Sequence, residues 1–354
     1  MTGAEWFASA PGGLNRYFTD LHAALARRGD AEVCATAFGD PPPGGRSWGP
    51  VGGSTLRRAS LAFADRGGRC APAVLDRHFC LYGPPAAGAR GGRLVVHFHG
   101  PWAAESRAAG AAPVHARAKY ALERLRYRGA DRYVVLSERF RDLLVADYRI
   151  EADAVRVIPP GVDLDRFRPT PRQPSDAERI VLCVRRLERR MGIDTLLRGW
   201  ATVADQCPEA RLVIVGTGTA ERELRDLATS LGHTDSVEFL GRAGDEQLVR
   251  LYSRAHCTVV PSAALEGFGL IALESLAAGR APIVTDCGGL PDSVRGLDPS
   301  LIVPVGDADA LAARLVVALC GAVPTPRRCR AHAESFSWDV AAERHMAVYA
   351  ELCR

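Results

Sequence analysis

The sequence predicts an α/β protein made of two successive doubly wound units, each a parallel sheet covered by helices. Three observations carry that expectation. Short apolar runs alternate with helical segments along the whole chain. In the second half those runs are short, mostly apolar and flanked by turns, as strands buried on both faces are. The 354 residues suffice for two cores of ordinary size.

In the first half, Leu14, Tyr17, Phe18, Leu21 and Leu25 recur at helical spacing, with Gly12 and Gly13 ahead and Gly29 behind. Strands are expected at Ala31–Ala37, Arg93–His97, Arg132–Leu136 and Val155–Ile158. Pro41–Ser54 is rich in glycine and proline and reads as a loop. Met1–Phe7 is very short for a first strand leading into a glycine loop. In the second half, strands are expected at Ile180–Val184, Leu212–Val215, Val237–Leu240, Thr258–Val260 and Pro282–Thr285. Pro159-Pro160-Gly161 and Pro169–Pro174 combine stiffness with turning and are expected to link the units. The expected domains are 1–165 and 166–335, followed by a helical tail at 336–354.

Composition excludes several function classes. A formal net charge of +4 without clustered basic and aromatic residues gives no reason to expect nucleic acid. Lys119 is the only lysine and Asn15 the only asparagine, so an anion site must use arginine or backbone amides. Ten cysteines occur without a C-x-x-C pair, which argues against a zinc ribbon or redox motif. Cys183 and Cys257 sit in apolar runs and read as buried free thiols, as suits a reducing compartment. No signal-peptide pattern is visible, and no apolar run approaches the ~18 residues of a membrane span. A cytoplasmic location is therefore expected.

Five segments carry possible chemistry. In PSAALEGFGLIALESLAAG, Pro261–Gly279, a strand ends, a loop carries Glu266 and a helix begins near Gly267–Gly269. Glu274 follows Glu266 by eight residues, which places both on one helical face about 12 Å apart along the axis. The glycine-rich helix start offers free N–H groups and a positive dipole end to a phosphate. Two solvated glutamates are the commoner outcome of that spacing alone. The glycines, the preceding strand and the apolar positions between the acids favour a site.

CVRRLERRMGID, Cys183–Asp194, crowds Arg185, Arg186, Arg189 and Arg190 after a strand. Guanidinium forks there match phosphate oxygens, although a solvated basic turn fits as well. VVHFHGPWAAES, Val95–Ser106, sets His99 at a strand's carboxyl end, with His97 on the same side. Trp102 and Glu105 lie close by, but no third ligand stands at a recognisable spacing, so no metal site is expected. Gly12-Gly13-Leu14-Asn15 allows a close backbone approach to an anion, or is a plain loop-to-helix turn. Val215-Gly216-Thr217-Gly218 opens like G-x-G-x-x-G but has Glu221 in place of the last glycine.

Taken in order, PGGLNRY, HFHGPW, VVLSERF, VIPPGVD with Phe167, VRRLERRMG, VIVGTG, VEFLGR, the Glu266–Glu274 segment, CGGLP and the tail FSW resemble a known family. It is the retaining GT-B glycosyltransferases of family four, which include sucrose, mannosyl and glycogen-type transferases. The likeness covers nearly the whole chain. It implies a GT-B fold, two Rossmann-like domains with a cleft between them, and transfer of a hexose-type sugar from a nucleotide diphosphate donor of UDP or GDP type. No cofactor or metal is implied, and the last helix is expected to cross back to the first domain.

The resemblance also implies roles. Glu274 meets the donor ribose, Glu266 the donor sugar and Arg186 the diphosphate. His99 reaches the donor sugar from the first domain, and Gly13 faces the diphosphate and acceptor. Gly216 and the helix start Gly267, Phe268, Gly269 and Leu270 complete the expected donor-binding set. The family has glycine where Arg185 stands and lysine where Met191 stands, and Arg190 is expected to replace that lysine. The acceptor is expected to be a natural product, an oligosaccharide or a lipid-linked molecule. Pro113–Arg128, with Arg117, Lys119, Arg124, Arg126 and Arg128, offers a basic face to an anionic membrane; a packed surface helix is the preferred reading. An epimerase or phosphorylase on the same fold, or a non-catalytic regulatory subunit, is the alternative.

Overall fold

A computed structural model describes residues 1–65, 74–85, 92–108, 110–170 and 179–354. Cys70 and most of the expected linker Pro169–Pro174 lie outside the described residues. The chain divides into two units, residues 1–161 with 338–354, and residues 162–337.

The first unit runs β1 (Thr2–Glu5), α1 (Gly13–Arg28), β2 (Ala35–Phe38), β3 (Gly45–Ser47), α2 (Thr55–Ala64), β4 (Val74–Arg77), β5 (Arg93–Phe98), α3 (Trp102–Ala108), α4 (Pro113–Tyr127), β6 (Arg132–Val135), α5 (Glu138–Tyr148) and β7 (Val155–Val157). Its described strands form one parallel sheet in the order β3-β2-β1-β4-β5-β6-β7. β1 is short, as the sequence suggests, yet it is interior and pairs on both sides, Thr2 opposite Thr36 and Arg77. The apolar stripe of α1 buries Tyr17, Phe18, Leu21 and Leu25, and Gly29 ends the helix in the left-handed conformation.

Two strands here escape an apolar-run search. β3 is an exposed edge strand inside the expected loop. β4 buries Asp76 and Arg77, with buried His78 just beyond, so it carries little apolar signal. The structure pairs it with β5 in register, Asp76 opposite Val95 and Arg77 opposite Val96.

The second unit runs β8 (Arg179–Val184), α6 (Ile193–Gln206), β9 (Ala210–Val215), α7 (Glu221–Ser230), β10 (Val237–Gly241), α8 (Asp245–Arg254), β11 (Cys257–Val260), α9 (Leu270–Ala277), β12 (Ala281–Thr285), β13 (Ile302–Val303), α10 (Ala308–Leu319) and α11 (Pro326–Glu334). Its parallel sheet has the order β10-β9-β8-β11-β12-β13. One face is a core of Val181, Cys183, Leu197, Trp200, Ile214 and Val259 with α6 and α10. The final helix α12 (Trp338–Leu352) belongs to the first unit. It packs on α1, Trp338 edge-on to Tyr17 at 5.4 Å between centroids. Among the described residues no helix is long and apolar enough to cross a membrane.

Candidate functional site

In the second unit, three loops at the carboxyl ends of parallel strands carry the expected donor-side residues, where open α/β sheets bind ligands. The loop after β8 and the loop after β9 are sealed together. Leu187 N–H donates to Thr217 O (3.0 Å), and Ala220 N–H to Leu187 O (2.8 Å). Glu188 accepts from the Thr219 amide at 3.1 Å and from its hydroxyl. Gly216 has φ +137°, and a Cβ there would lie 1.9 Å from Arg185 O. Its glycine is thus required by loop packing, a cause independent of any phosphate.

The third loop carries Glu266. The sequence places Glu266 and Glu274 on one helical face; the structure corrects this. Helix α9 begins only at Leu270, capped by Gly269 in the left-handed conformation. Glu266 precedes it in an irregular turn entered through Leu265 at φ +56°. Gly289 N–H donates to Glu266 O (2.9 Å), and Gly288 lies so close that a Cβ would stand 2.0 Å from that oxygen. Glu266 is therefore held by backbone from beneath.

Its carboxylate is engaged as well. Oε2 accepts from the Arg185 guanidinium and from Ser262 Oγ (3.1 Å). Arg185 Nη2 also donates to Ser262 Oγ and lies 2.8 Å from Met191 Sδ. The Arg185 and Glu266 side chains are only 6% and 14% exposed. Burial alone would raise the Glu266 pKa; Arg185, Ser262 and Arg190 outweigh it and hold the carboxyl below its ordinary value. Ser262, which sequence reading overlooks, is fully buried and anchored by Thr285 Oγ1 donating to its carbonyl (2.6 Å).

The four arginines of this segment separate in role. Arg185 is buried on Glu266. Arg186 is exposed. Arg189 pairs with Glu223 at the surface, 2.9 Å. Arg190 donates to Leu265 O (3.3 Å). The guanidinium against the Met191 sulfur is that of Arg185 rather than of Arg190, the expected replacement for the lysine at Met191. The two departures from the family pattern meet in space, since an arginine in place of glycine brings its charge to the side chain that lacks one.

Glu274 is buried in α9 and accepts from Tyr252 Oη (2.9 Å). Burial and that carboxylate push the Tyr252 phenol well above its ordinary value, so it remains a donor. Phe167 meets the Tyr252 ring edge-on at 5.5 Å. Phe268 belongs to the expected donor-binding helix start. Its ring is buried and packs on Phe336 at 5.5 Å, which leaves only its backbone to a ligand. The backbone N–H groups at Gly267, Gly269 and Leu270 lie at the amino end of α9, the positive end of its dipole.

In the first unit, Gly13 is exposed at the start of α1, and a Cβ there would meet nothing. His99 follows β5, half-buried, edge-on to Tyr17 at 4.8 Å. The third histidine that the sequence lacked at any recognisable spacing is supplied by β4. His78 Nδ1 lies 3.3 Å from His99 Nε2, and one nitrogen of each of His78, His97 and His99 falls within 4.8 Å of the others. In α4, Lys119 donates to Ser106 Oγ (2.6 Å), Arg126 to Cys80 O (2.7 Å) and Gly83 O (2.8 Å), and buried Glu123 accepts from Trp102 and Ala103 amides. Part of that helix's charge is therefore committed to its own unit.

These two doubly wound parallel sheets in succession define a protein of the GT-B class. The family described as glycosyl transferases group 1 matches residues 167–335, and glycosyltransferase family 4 matches residues 11–166. The chain belongs to this glycosyltransferase family. It is 36% identical over 244 residues to a D-inositol 3-phosphate glycosyltransferase of Streptomyces scabiei (strain 87.22), covering 63% of this chain and 54% of that protein. A protein of the same description from Saccharomonospora viridis is 37% identical over 243 residues, covering 63% and 56%. The chain thus spans about half the length of the curated relatives it matches. In fold it is similar to sucrose-phosphate synthase from Thermosynechococcus elongatus, with a TM-score of 0.78 at 23% identity, covering 99% of this chain and 98% of that one. Anabaena HepE in complex with UDP and glucose gives 0.74 at 18%, with 99% and 98% covered.

Proposed function

We propose that the protein is a retaining glycosyltransferase that moves a hexose-type sugar from a nucleoside diphosphate donor, UDP-linked in the first instance, to a hydroxyl acceptor. The observation that carries this reading is the pair of carboxylates flanking the amino end of α9. Glu266 is fixed by Arg185, Ser262 and backbone, and Glu274 by Tyr252. Two anchored acceptors on either side of a positive helix end suit a ligand that carries hydroxyls on both sides of an anion. The UDP and glucose bound by HepE, a protein of similar fold, point the same way.

In this reading Glu274 accepts from the ribose and Glu266 from a sugar hydroxyl. Exposed Arg186 and the α9 amides face the diphosphate. As the C1–O bond to the diphosphate breaks, charge grows on the leaving oxygens, and fixed cations and N–H dipoles stabilise it without reorganising. The acceptor oxygen bonds to C1 on the same face, and its proton passes to the departing diphosphate. The arginines supply the positive charge here, so no divalent ion enters this account. His99 and Gly13 take the sugar-side and acceptor-side roles that the resemblance assigns.

The test is transfer from UDP-hexoses to a panel of phosphorylated polyols, oligosaccharides and natural-product alcohols, with the product's anomeric configuration read by NMR. A product with the donor's configuration supports the reading. Inverted product overturns retention, and an epimerised free nucleotide sugar overturns transfer.

A further inference from the structure

We propose that Asp76 and His78 are positioning residues that fix the tautomer of His99, so that His99 offers Nδ1 as a hydrogen-bond acceptor to a hydroxyl of the donor sugar. The sugar-side role of His99 rests on the transferase reading; its tautomer does not. The geometry is a chain of three side chains from neighbouring strands. β4 and β5 pair in parallel, Asp76 opposite Val95 and Arg77 opposite Val96, and His78 and His99 each follow one of them. Asp76 Oδ2 lies 3.2 Å from His78 Nε2, and His78 Nδ1 lies 3.3 Å from His99 Nε2. The His78 and His99 ring centroids are 5.5 Å apart and their planes differ by 24°. That separation is close to one such hydrogen bond plus a ring radius at each end. The two rings therefore meet end to end, with the bond near the ring planes, as good hydrogen-bond geometry requires. His97 stands apart from this chain. It stacks face to face on His78 at 3.7 Å, and neither of its nitrogens has a hydrogen-bond partner among the described residues.

The direction of each bond follows from what its end can do. Tyr349 Oη donates to Asp76 Oδ2 (2.5 Å). Burial and that carboxylate push the Tyr349 phenol well above its ordinary value, so it keeps its proton and Oδ2 is an acceptor. Burial holds the His78 and His99 rings below their ordinary value, so both are neutral at pH 7 and each carries one N–H and one lone pair. His78 must then donate from Nε2 to Asp76, which leaves its Nδ1 as a lone pair. That lone pair can only accept, so His99 donates from Nε2 and its own Nδ1 carries the lone pair. A buried carboxylate behind an imidazole sets the tautomer in the same way in catalytic triads.

Packing keeps the chain from rearranging. Asp76 and His78 are both buried. The His78 amide donates to Thr2 O (2.8 Å), and its ring lies between His97 and Phe18, the latter edge-on at 5.1 Å. Tyr17 meets the His99 ring edge-on at 4.8 Å. His99 is only half-buried, and among the described residues no group takes its Nδ1, so that lone pair is left for a ligand. A neutral ring held in this tautomer accepts an O–H at Nδ1 and cannot donate one there. The hydroxyl it serves must therefore act as the donor, and a fluorine in its place gains nothing over a hydrogen.

The experiment labels the histidines of the full chain with ¹⁵N and records long-range ¹⁵N–¹H correlation spectra at pH 7, with His99 assigned by its loss in His99→Gln. Wild-type His99 should appear as a single neutral Nε2–H tautomer. His78→Leu removes the acceptor of that N–H and should turn His99 into a mixture of tautomers; Asp76→Ala should do the same through His78. In transfer assays His78→Leu should lose about tenfold in kcat/KM, the worth of one hydrogen bond, with UDP affinity unchanged. His78→Gln, whose amide oxygen can take the His99 Nε2–H, should recover part of that loss and the single tautomer, an order that a packing role alone does not produce. An Nδ1–H tautomer or a tautomer mixture at His99 in the wild-type protein overturns the proposal, whether or not any variant folds. That reading needs neither donor nor turnover. Absence of transfer alongside the Nε2–H tautomer would sink the transferase reading instead.

Discussion

Arg185→Met removes one half of a buried ion pair and leaves Glu266 without its main cation. The magnitude follows from the carboxyl's choices. Once Arg185 is gone, burial dominates and raises the Glu266 pKa above its ordinary 4.5. The folded variant either keeps an unpaired buried charge or takes up a proton. At pH 7 the second route costs about 1.36 kcal/mol for each of the pH units above 4.5, about 3.4 kcal/mol in all, and this caps the charge penalty. Measured losses for broken buried pairs are about 3–5 kcal/mol. Urea unfolding at pH 7 should therefore show Arg185→Met destabilised by about 3 kcal/mol. The sign with pH is fixed. In the variant the folded state binds the proton more readily than the unfolded chain, so its deficit shrinks as pH falls, by about 2 kcal/mol between pH 7 and 5.5. In the wild type the Glu266 pKa is depressed, so its contribution is present above 4.5 and lost only at more acid pH. The double variant Arg185→Met/Glu266→Gln removes both charges and should lie within about 1 kcal/mol of wild type. A deficit that is equal at both pH values, or a double variant no better than the single, would refute the argument.

Other expectations follow from the same loops and cores. Glu274→Ala should weaken nucleotide affinity at least tenfold while the fold survives, and Tyr252→Phe should lose a smaller part through the freed carboxylate; isothermal titration with UDP reads both. Transfer should run without added Mg²⁺ or Mn²⁺, and a rate that depends on either would undo the arginine-based account. Cys34, Cys320 and Cys353 are exposed, whereas Cys183 and Cys257 are buried with thiols raised to about 12. Mass-mapped alkylation of native protein should mark the first three and reach the other two only after unfolding. Trp200→Ala empties the fully buried centre of the second core and should cost about 3–5 kcal/mol by thermal or urea unfolding.

Much of the fold is legible because parallel strands announce themselves as apolar runs. β8, β9, β10, β11 and β12 all fall on expected segments, within one or two residues at either end. The strands that escaped lack that signal: β3 is a polar edge, β13 has two residues, and β4 spends its buried face on charge. The site was legible as a set of residue types but not as geometry. Helical spacing put Glu266 and Glu274 on one face, whereas Gly267 and Gly269 allow an irregular turn and α9 starts at Leu270, just after the expected start near Gly267–Gly269. Nothing in the spacing reveals that Arg185, 81 residues before Glu266 in sequence, would turn inward to it, because that depends on the parallel pairing of β8 with β11. His78 was hidden for the same reason, its partners lying on the neighbouring strand.

The central claim is that the second unit's carboxylates and arginines bind a nucleoside diphosphate sugar. It is tested most directly by thermal denaturation of wild-type and Arg186→Ala protein with UDP, GDP and their hexose conjugates, since a ligand that binds only the folded state raises the melting temperature. The account predicts a concentration-dependent rise with a UDP- or GDP-linked sugar that is lost in Arg186→Ala, whose guanidinium is exposed. An unchanged melting temperature with every nucleotide, or a rise that persists undiminished in Arg186→Ala, would contradict it.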